Sequence, residues 1–519
     1  MQIFLLFILL NFIQLSWCQN TTNVILNEDD WDNATWILNS AFVIITMQSG
    51  FGLLESGFVN KKNRVNIMMK NVCDIIFGGL SFWMFGYAFC LGKSELSNSF
   101  IGFGDFFVEA DLTRDSGWLY SKYFFHMTFA TTATTIVSGA LAERCKFNAY
   151  CLFSFLNTFI YSIPAHWVFD DNGWLNKMKV VDFAGAGPVH ILGGCTGLMG
   201  AYILKPRNKI NSKPSSYVNS ILGLFMLWWG WLGFNCGSSF GITGKKWIYV
   251  SKAAITTVNS SIGGGLTGYF YCYFKLGKKY DIEIIVNCII GALVAITPCC
   301  VSVENWSSII IGSIGALVGT ITNNLLKGTI IDDPIGCIGT HAVSGIWGLL
   351  ASGLFAKYNI NDGPTGLFYS GSFELLGIQL LEIITIIIYS CIMAFLLFKL
   401  VECITGLRLT PEEEELGNDY IEHTIISNRI VPIENNENDD MQNGNIQDRN
   451  PLDENPPDQN PPDENPPDEN PPDENPPDQN SPNENPSNEN PSNENPFDEN
   501  ISDQMIEDIH KINISTNKQ

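Results

Sequence analysis

Long apolar stretches, separated by short polar ones, dominate the chain from Trp36 to Ile404. Eleven can be drawn: Trp36–Phe58, Val72–Leu91, Leu119–Leu141, Phe147–Phe169, Gly187–Leu204, Tyr217–Phe240, Trp247–Phe274, Ile284–Val303, Trp306–Leu326, Ile338–Ala356 and Leu375–Ile404. Each is close to the ~20 residues that a helix needs to cross the hydrocarbon of a bilayer. A soluble, entirely helical protein is the competing reading, and so many long apolar runs argue against it. The pattern therefore predicts an all-α polytopic membrane protein whose ends lie on opposite sides. Charge supports that topology. Alternate connections carry Lys61, Lys62 and Arg64, then Arg144 and Lys146, then Lys205, Arg207, Lys209 and Lys213, then Lys275, Lys278 and Lys279. The opposite connections carry Asp105, Glu109, Asp111, Asp170 and Asp171, with Lys245 and Lys246 running the other way. Basic loops stay on the cytoplasmic side, so the amino terminus is expected outside and the carboxyl terminus inside a plasma membrane.

The two ends read differently from the middle. Residues 1–18 hold the short apolar run Ile3–Leu10, which resembles a signal peptide cut near Cys18. Two glycosylation sequons follow, at Asn20 and Asn33. Residues 34–405 form the expected membrane domain, and 406–430 a cytoplasmic regulatory segment. In the latter Thr410, Pro411 and Glu413 make a helix start, with Thr410 and Glu413 as a capping box. Residues 431–519 are an acidic tail, in which 451–500 hold ten five-residue repeats such as Pro-Pro-Asp-Glu-Asn. Proline and like charge oppose both helix and packed core, so a disordered spacer or partner-binding strip is expected there. From Pro411 onward there are 29 acidic and 4 basic residues, a net −25 against −24 for the whole chain, which leaves +1 for the first 410 residues. A near-neutral apolar body with an acidic tail gives no footprint for nucleic acid. The 14 cysteines show neither CxxC pairs nor zinc spacing and read as small core residues.

One pattern occurs twice. Asp182, Gly185, His190, Gly194 and Gly197 recur at the same offsets as Asp333, Gly336, His341, Gly345 and Gly348. The copies open the fifth and tenth segments, so they run in opposite directions, the signature of a five-plus-five inverted repeat. Each histidine falls eight residues after the aspartate of its copy, inside an apolar stretch where an ionisable residue usually marks a pathway. Two neutral imidazoles can share one hydrogen bond and offer their remaining nitrogens to a small polar solute or a proton. Asp182 and Asp333 are placed to cap their helices, and Asp182 can also favour an arriving cation. Phe125 and Phe129 share one helix face, as do Phe234 and Ser238, so that aromatic faces and a hydroxyl can meet a small cation. With no nucleophile–base or metal arrangement beside the histidines, neither an enzyme nor a cofactor is expected.

Several strings together resemble the ammonium transporter family (Amt/Mep/Rh), and its Amt branch most. They are Gly50-Phe-Gly-Leu-Leu-Glu-Ser-Gly57, Gly139-Ala-Leu-Ala-Glu-Arg144, Asp182-Phe-Ala-Gly185 through His190, Gly233-Phe-Asn-Cys-Gly-Ser238, Asp332-Asp-Pro through His341, and Leu407-Arg-Leu-Thr-Pro-Glu-Glu413. The resemblance implies eleven helices and a homotrimer in the lipid bilayer with one pore per subunit, conducting ammonium or ammonia. It implies a twin-histidine pore at His190 and His341 and a phenyl gate at Phe129 and Phe234. It further implies a recruitment site at Phe125, Phe169 and Ser238 supported by Asp182, and a tail segment that docks on a neighbouring subunit. Phe169 stands where most Amt members carry Trp, a change that keeps a π-face but removes the indole N–H and weakens cation capture. An electroneutral ammonia or carbon dioxide channel of the Rh kind and an ammonium sensor signalling through its tail are the competing readings.

Overall fold

The computed structural model describes residues 28–112, 114–208 and 214–425. The leader at 1–18, the Asn20 sequon and the repeat tail from 431 lie outside the described residues.

Eleven long helical segments follow one another: α1 (Glu28–Phe58), α2 (Lys61–Leu91), α3 (Arg114–Leu141), α4 (Phe147–Phe169), α5 (Ala186–Leu204), α6 (Tyr217–Gly237), α7 (Lys246–Lys275), α8 (Ile282–Ile296), α9 (Asn305–Leu326), α10 (Ile338–Phe355) and α11 (Glu374–Thr405). They overlap the eleven apolar stretches with shifted ends, α2 starting at Lys61 instead of Val72 and α8 stopping at Ile296 instead of Val303, and seven are long and apolar enough to cross a membrane on length and composition alone. Two short helices close the described chain, α12 (Pro411–Leu416) and α13 (Asn418–His423). Among the described residues the extended backbone amounts to the isolated bridges Lys93–Phe103 and Cys145–Arg408.

Small residues let the helices approach closely. The packing of α1 on α6 depends on Gly223, where a Cβ would lie 2.4 Å from the backbone nitrogen of Leu54. The repeat helices α5 and α10 cross at Gly194, where a Cβ would lie 2.6 Å from the nitrogen of Ala342. A larger residue there would meet Ala342, the chain neighbour of His341.

At the end of the bundle carrying the basic loops, charge holds the connections together. Arg207 forks onto Asp332 (Nε–Oδ2 2.7 Å, Nη2–Oδ1 2.9 Å) and reaches Glu143 through Nη1 at 2.7 Å. The buried Arg144 donates to the carbonyls of Ala142, Lys205 and Asp332. Burial pushes the Asp332 carboxyl up, but the hydrogen bond and charge of Arg207 outweigh it and hold the group below the usual carboxylate range.

The segment after α11 folds back onto this surface. The capping box is present: Thr410 Oγ1 accepts from the Glu413 amide, and Glu413 returns to the Thr410 amide at 2.8 Å. Arg408 joins Glu414 at 2.6 Å and the carbonyls of Leu204 and Pro206. Asp419 accepts from the amides of Val65 and Asn66, supplying a cap to α2 from 354 and 353 residues away in sequence.

Asn33 needs correction as a glycosylation candidate. It lies within α1, is 4% exposed, and its side-chain oxygen accepts from the amides of Ile242 and Thr243 and from the Thr243 hydroxyl. The sequon falls on a buried strut between α1 and the loop after α6, where a sugar has no room.

Candidate functional site: a histidine-lined axis

Both histidines sit on unusual backbone. Gly185 and Gly336 take φ values of +83° and +82°, in the left-handed region that glycine tolerates. After each, the helix opens with a wide π turn, Ala186–Ile191 and Ile338–Val343, before becoming regular. Such turns place one extra residue in a helix and often mark functional positions. The aspartates stabilise these starts. Asp182 accepts from the amides of Gly185, Ala186 and Gly187 at 3.1, 2.7 and 2.8 Å, and Asp333 from those of Gly336 and Ile338 at 2.9 and 2.8 Å. Matching glycines, wide turns and capping aspartates make the two copies structural counterparts.

His190 and His341 meet at Nδ1–Nδ1 3.3 Å, with ring centroids 5.3 Å apart. One Nδ1 must then carry the hydrogen and the other accept it. The outer nitrogens consequently differ: the donor's Nε2 is bare and the acceptor's Nε2 bears a hydrogen. The pair thus offers one acceptor and one donor, matching a solute that has both a lone pair and N–H groups. His190 Nε2 is buried without a hydrogen-bond partner among the described residues. Trp231 fixes the His190 ring by stacking at 5.1 Å and 14°.

Next to His190 lies a cluster of aromatic rings. Phe129 and Phe234 stack with centroids 4.0 Å apart and planes 7° from parallel, and Phe234 lies 5.7 Å from His190. Phe125 follows at 4.8 Å from Phe129. Phe169 meets Phe129 edge-on at 6.1 Å, so the residue standing in place of Trp does belong to this cluster. Ser238 is buried nearby on the same helix as Phe234 and donates to the Phe234 carbonyl at 2.9 Å. Its hydrogen is occupied, and its oxygen keeps lone pairs for a cation. Asp182 is spent on backbone amides and acts on this region through geometry.

Four members of the site were not among the sequence candidates. Phe240 packs on Phe125 at 5.1 Å from a left-handed backbone (φ +49°), and His126 stacks on it at 5.4 Å. Trp231 supports His190. Glu382 of α11 is fully buried beside Asp182: a Cβ at Gly187 would lie 2.6 Å from its Oε1 and 3.2 Å from Asp182 Oδ2. Two carboxyls brought near each other in a dry interior are costly to ionise together. A Glu within the apolar run Leu375–Ile404, far from Lys399 and Glu402 at its end, was the available signal. Phe240, His126 and Trp231 gave none, because aromatic residues at helical spacing are usually core.

A family model described as the Ammonium Transporter Family matches residues 35–426, nearly all of this helical body. The chain belongs to that family. It is 44% identical over 420 residues to a Caenorhabditis elegans protein named "Putative ammonium transporter 3", covering 77% of this chain and 61% of that protein's length. It is 33% identical over 411 residues to "Ammonium transporter 3" of Dictyostelium discoideum, covering 75% of this chain and 93% of that protein. Among solved structures it is similar to one named "Sensor Amt Protein" (TM-score 0.68, 31% identity, 76% of this chain and 98% of that one) and to Mep2 of Saccharomyces cerevisiae (TM-score 0.69, 27% identity, 76% and 93%). The all-α, multi-pass membrane fold is the family's, and the family consists of transporters, not enzymes.

Proposed function

We propose that this chain carries ammonium across the plasma membrane, with the amino terminus and the Phe169–Phe240 cluster outside. Ammonium is drawn to the aromatic faces of Phe125 and Phe169 and the Ser238 oxygen, loses its proton there or just below, and passes as ammonia between Phe129 and Phe234. The paired imidazoles of His190 and His341 then carry it through otherwise apolar surroundings. The observation that supports this reading best is the order of parts along one axis: stacked phenyl rings 4.0 Å apart, then a histidine pair joined at 3.3 Å.

A homotrimer is part of the proposal. Phe42 of α1 and Tyr217, Phe225 and Trp229 of α6 are exposed, as are Ile255, Ile262 and Phe270 of α7 and Ile310 and Ile321 of α9. These apolar faces suit helix-to-helix contact between subunits or lipid.

Ammonium-evoked current and ammonia flux recorded together in oocytes test the mechanism. An ammonium-dependent inward current with flux supports electrogenic transport, whereas flux without current favours the electroneutral channel, a reading that the weaker cation partner at Phe169 supports. A sensor is the reading favoured by the likeness to a structure carrying that name and by the folded segment after α11. Removal of residues 430–519 separates it, since unchanged uptake with lost signalling assigns the tail to sensing.

A further inference from the structure

Beyond His341, on the side away from the phenyl gate, lies a small cavity of about 20 Å³ lined by Phe51, Glu55, Asn287, Ile335, Thr340 and His341, among others. One water, or an ammonia of nearly the same size, fits a space of this volume. Because His341 belongs both to the histidine pair and to this wall, the cavity continues the histidine-lined axis. Its chemistry differs from the rest of the path. Glu55 is fully enclosed within α1, and its carboxyl is held in place from two helices. Ser138 Oγ lies 2.6 and 2.8 Å from its two oxygens, and Asn71 Nδ2 donates to Oε2 at 2.8 Å. Thr135 in turn donates to Asn71 Oδ1 at 2.6 Å, which fixes the amide with its NH₂ toward Glu55. The buried Lys70 gives its ammonium to the Cys145 carbonyl at 2.9 Å.

We propose that Glu55 forms an inner binding site for ammonium, a second station on the cytoplasmic side of the histidine pair. The inference rests on the transport reading above and adds to it a place where the solute is held as a cation before release or after entry from inside. A buried carboxylate in a membrane helix is costly unless a counter-charge accompanies it. An ammonium ion in the cavity supplies that charge, and its N–H groups meet acceptors on the Glu55 carboxyl and the Thr340 hydroxyl. Ser138 and Asn71 act as positioning residues that aim the carboxyl. The design differs from the aromatic site at the other end, which offers π-faces and one hydroxyl oxygen, so the two sites are separable by side.

Isotope-labelled ammonium moved in each direction through full-length protein in oocytes tests this. Glu55→Gln keeps the shape and removes the charge. It is expected to raise the internal ammonium concentration needed for half-maximal efflux about tenfold, with half-saturation for influx unchanged. Ser138→Ala, which leaves the carboxylate in place, should shift efflux in the same direction by a smaller factor, and it stands in if Glu55→Gln does not reach the surface. Efflux half-saturation equal to wild type in both variants, or influx and efflux shifting together, overturns the inner site. Wild-type protein that moves no ammonium in either direction defeats the transport reading itself, an outcome distinct from a silent Glu55→Gln beside an active wild type.

Discussion

Phe169 decides how well the outer aromatic cluster holds a cation. Its ring lies 6.1 Å from Phe129, and Gly185 leaves it room, since a Cβ there would strike its Cζ at 2.5 Å. Phe169→Trp enlarges the π-face and adds an N–H donor. A gain of about 1 kcal/mol in cation–π attraction corresponds to roughly fivefold lower half-saturation for ammonium influx. Uptake curves of the two proteins measure it, and an unchanged curve would place cation capture elsewhere. The aspartates and Glu382 belong to the same scale. Glu382→Gln preserves a hydrogen-bond donor toward Asp182 and should keep trimer yield and transport close to wild type. Glu382→Leu leaves Asp182 without that donor at a buried site, a cost of about 1–3 kcal/mol, read as a lower melting temperature with reduced transport.

Among the elements, the paired wide turns of α5 and α10 do most to set the site. They need the left-handed Gly185 and Gly336 and the close crossing at Gly194. Gly194→Val must overcome a 2.6 Å approach to Ala342, with overpacking of about 1–3 kcal/mol, and should separate the imidazoles and suppress flux even where the protein still assembles. The helices themselves were legible because their apolar runs are long, and the repeat was legible because its Asp, Gly and His keep their offsets. The π turns were not, since their sequence cost is spread over hydrogen bonds that no single residue announces. The aromatic cluster was half legible. Phe125, Phe129 and Phe234 stood out by helical spacing and by family resemblance. Phe240 comes from a loop whose left-handed residue is not glycine, and His126 lies in a run where Tyr123, Phe124 and Phe125 read equally well as packing. Asn33 misled because a sequon is a local string, and burial is decided by the loop at Ile242 and Thr243 more than 200 residues away.

For the whole molecule, the basic end of the bundle holds distant loops in one arrangement. Arg207 joins the loop at Asp332 to Glu143, with both carboxylates nearly buried. Arg207→Ala would leave two unpaired carboxylates, and about 3 kcal/mol of stability should be lost. The pH dependence has a definite sign. The Asp332 carboxyl is held below its ordinary value in the folded chain, so its contribution is full above the normal carboxylate range near pH ~4 and is lost as pH falls through the lowered value. Melting temperature of the purified protein should therefore fall on acidification below about pH 4, and less steeply in Arg207→Ala. A wild-type curve no steeper than that of the variant would remove this clamp from the account.

The histidine pair carries the central claim, and the most direct measurement is ammonium flux through purified protein in liposomes, wild type beside His190→Ala and His341→Ala, with trimer content checked for each. Wild type should conduct, and each variant should keep its assembly but lose or alter conduction and selectivity. Wild-type flux and selectivity in both variants would contradict that claim.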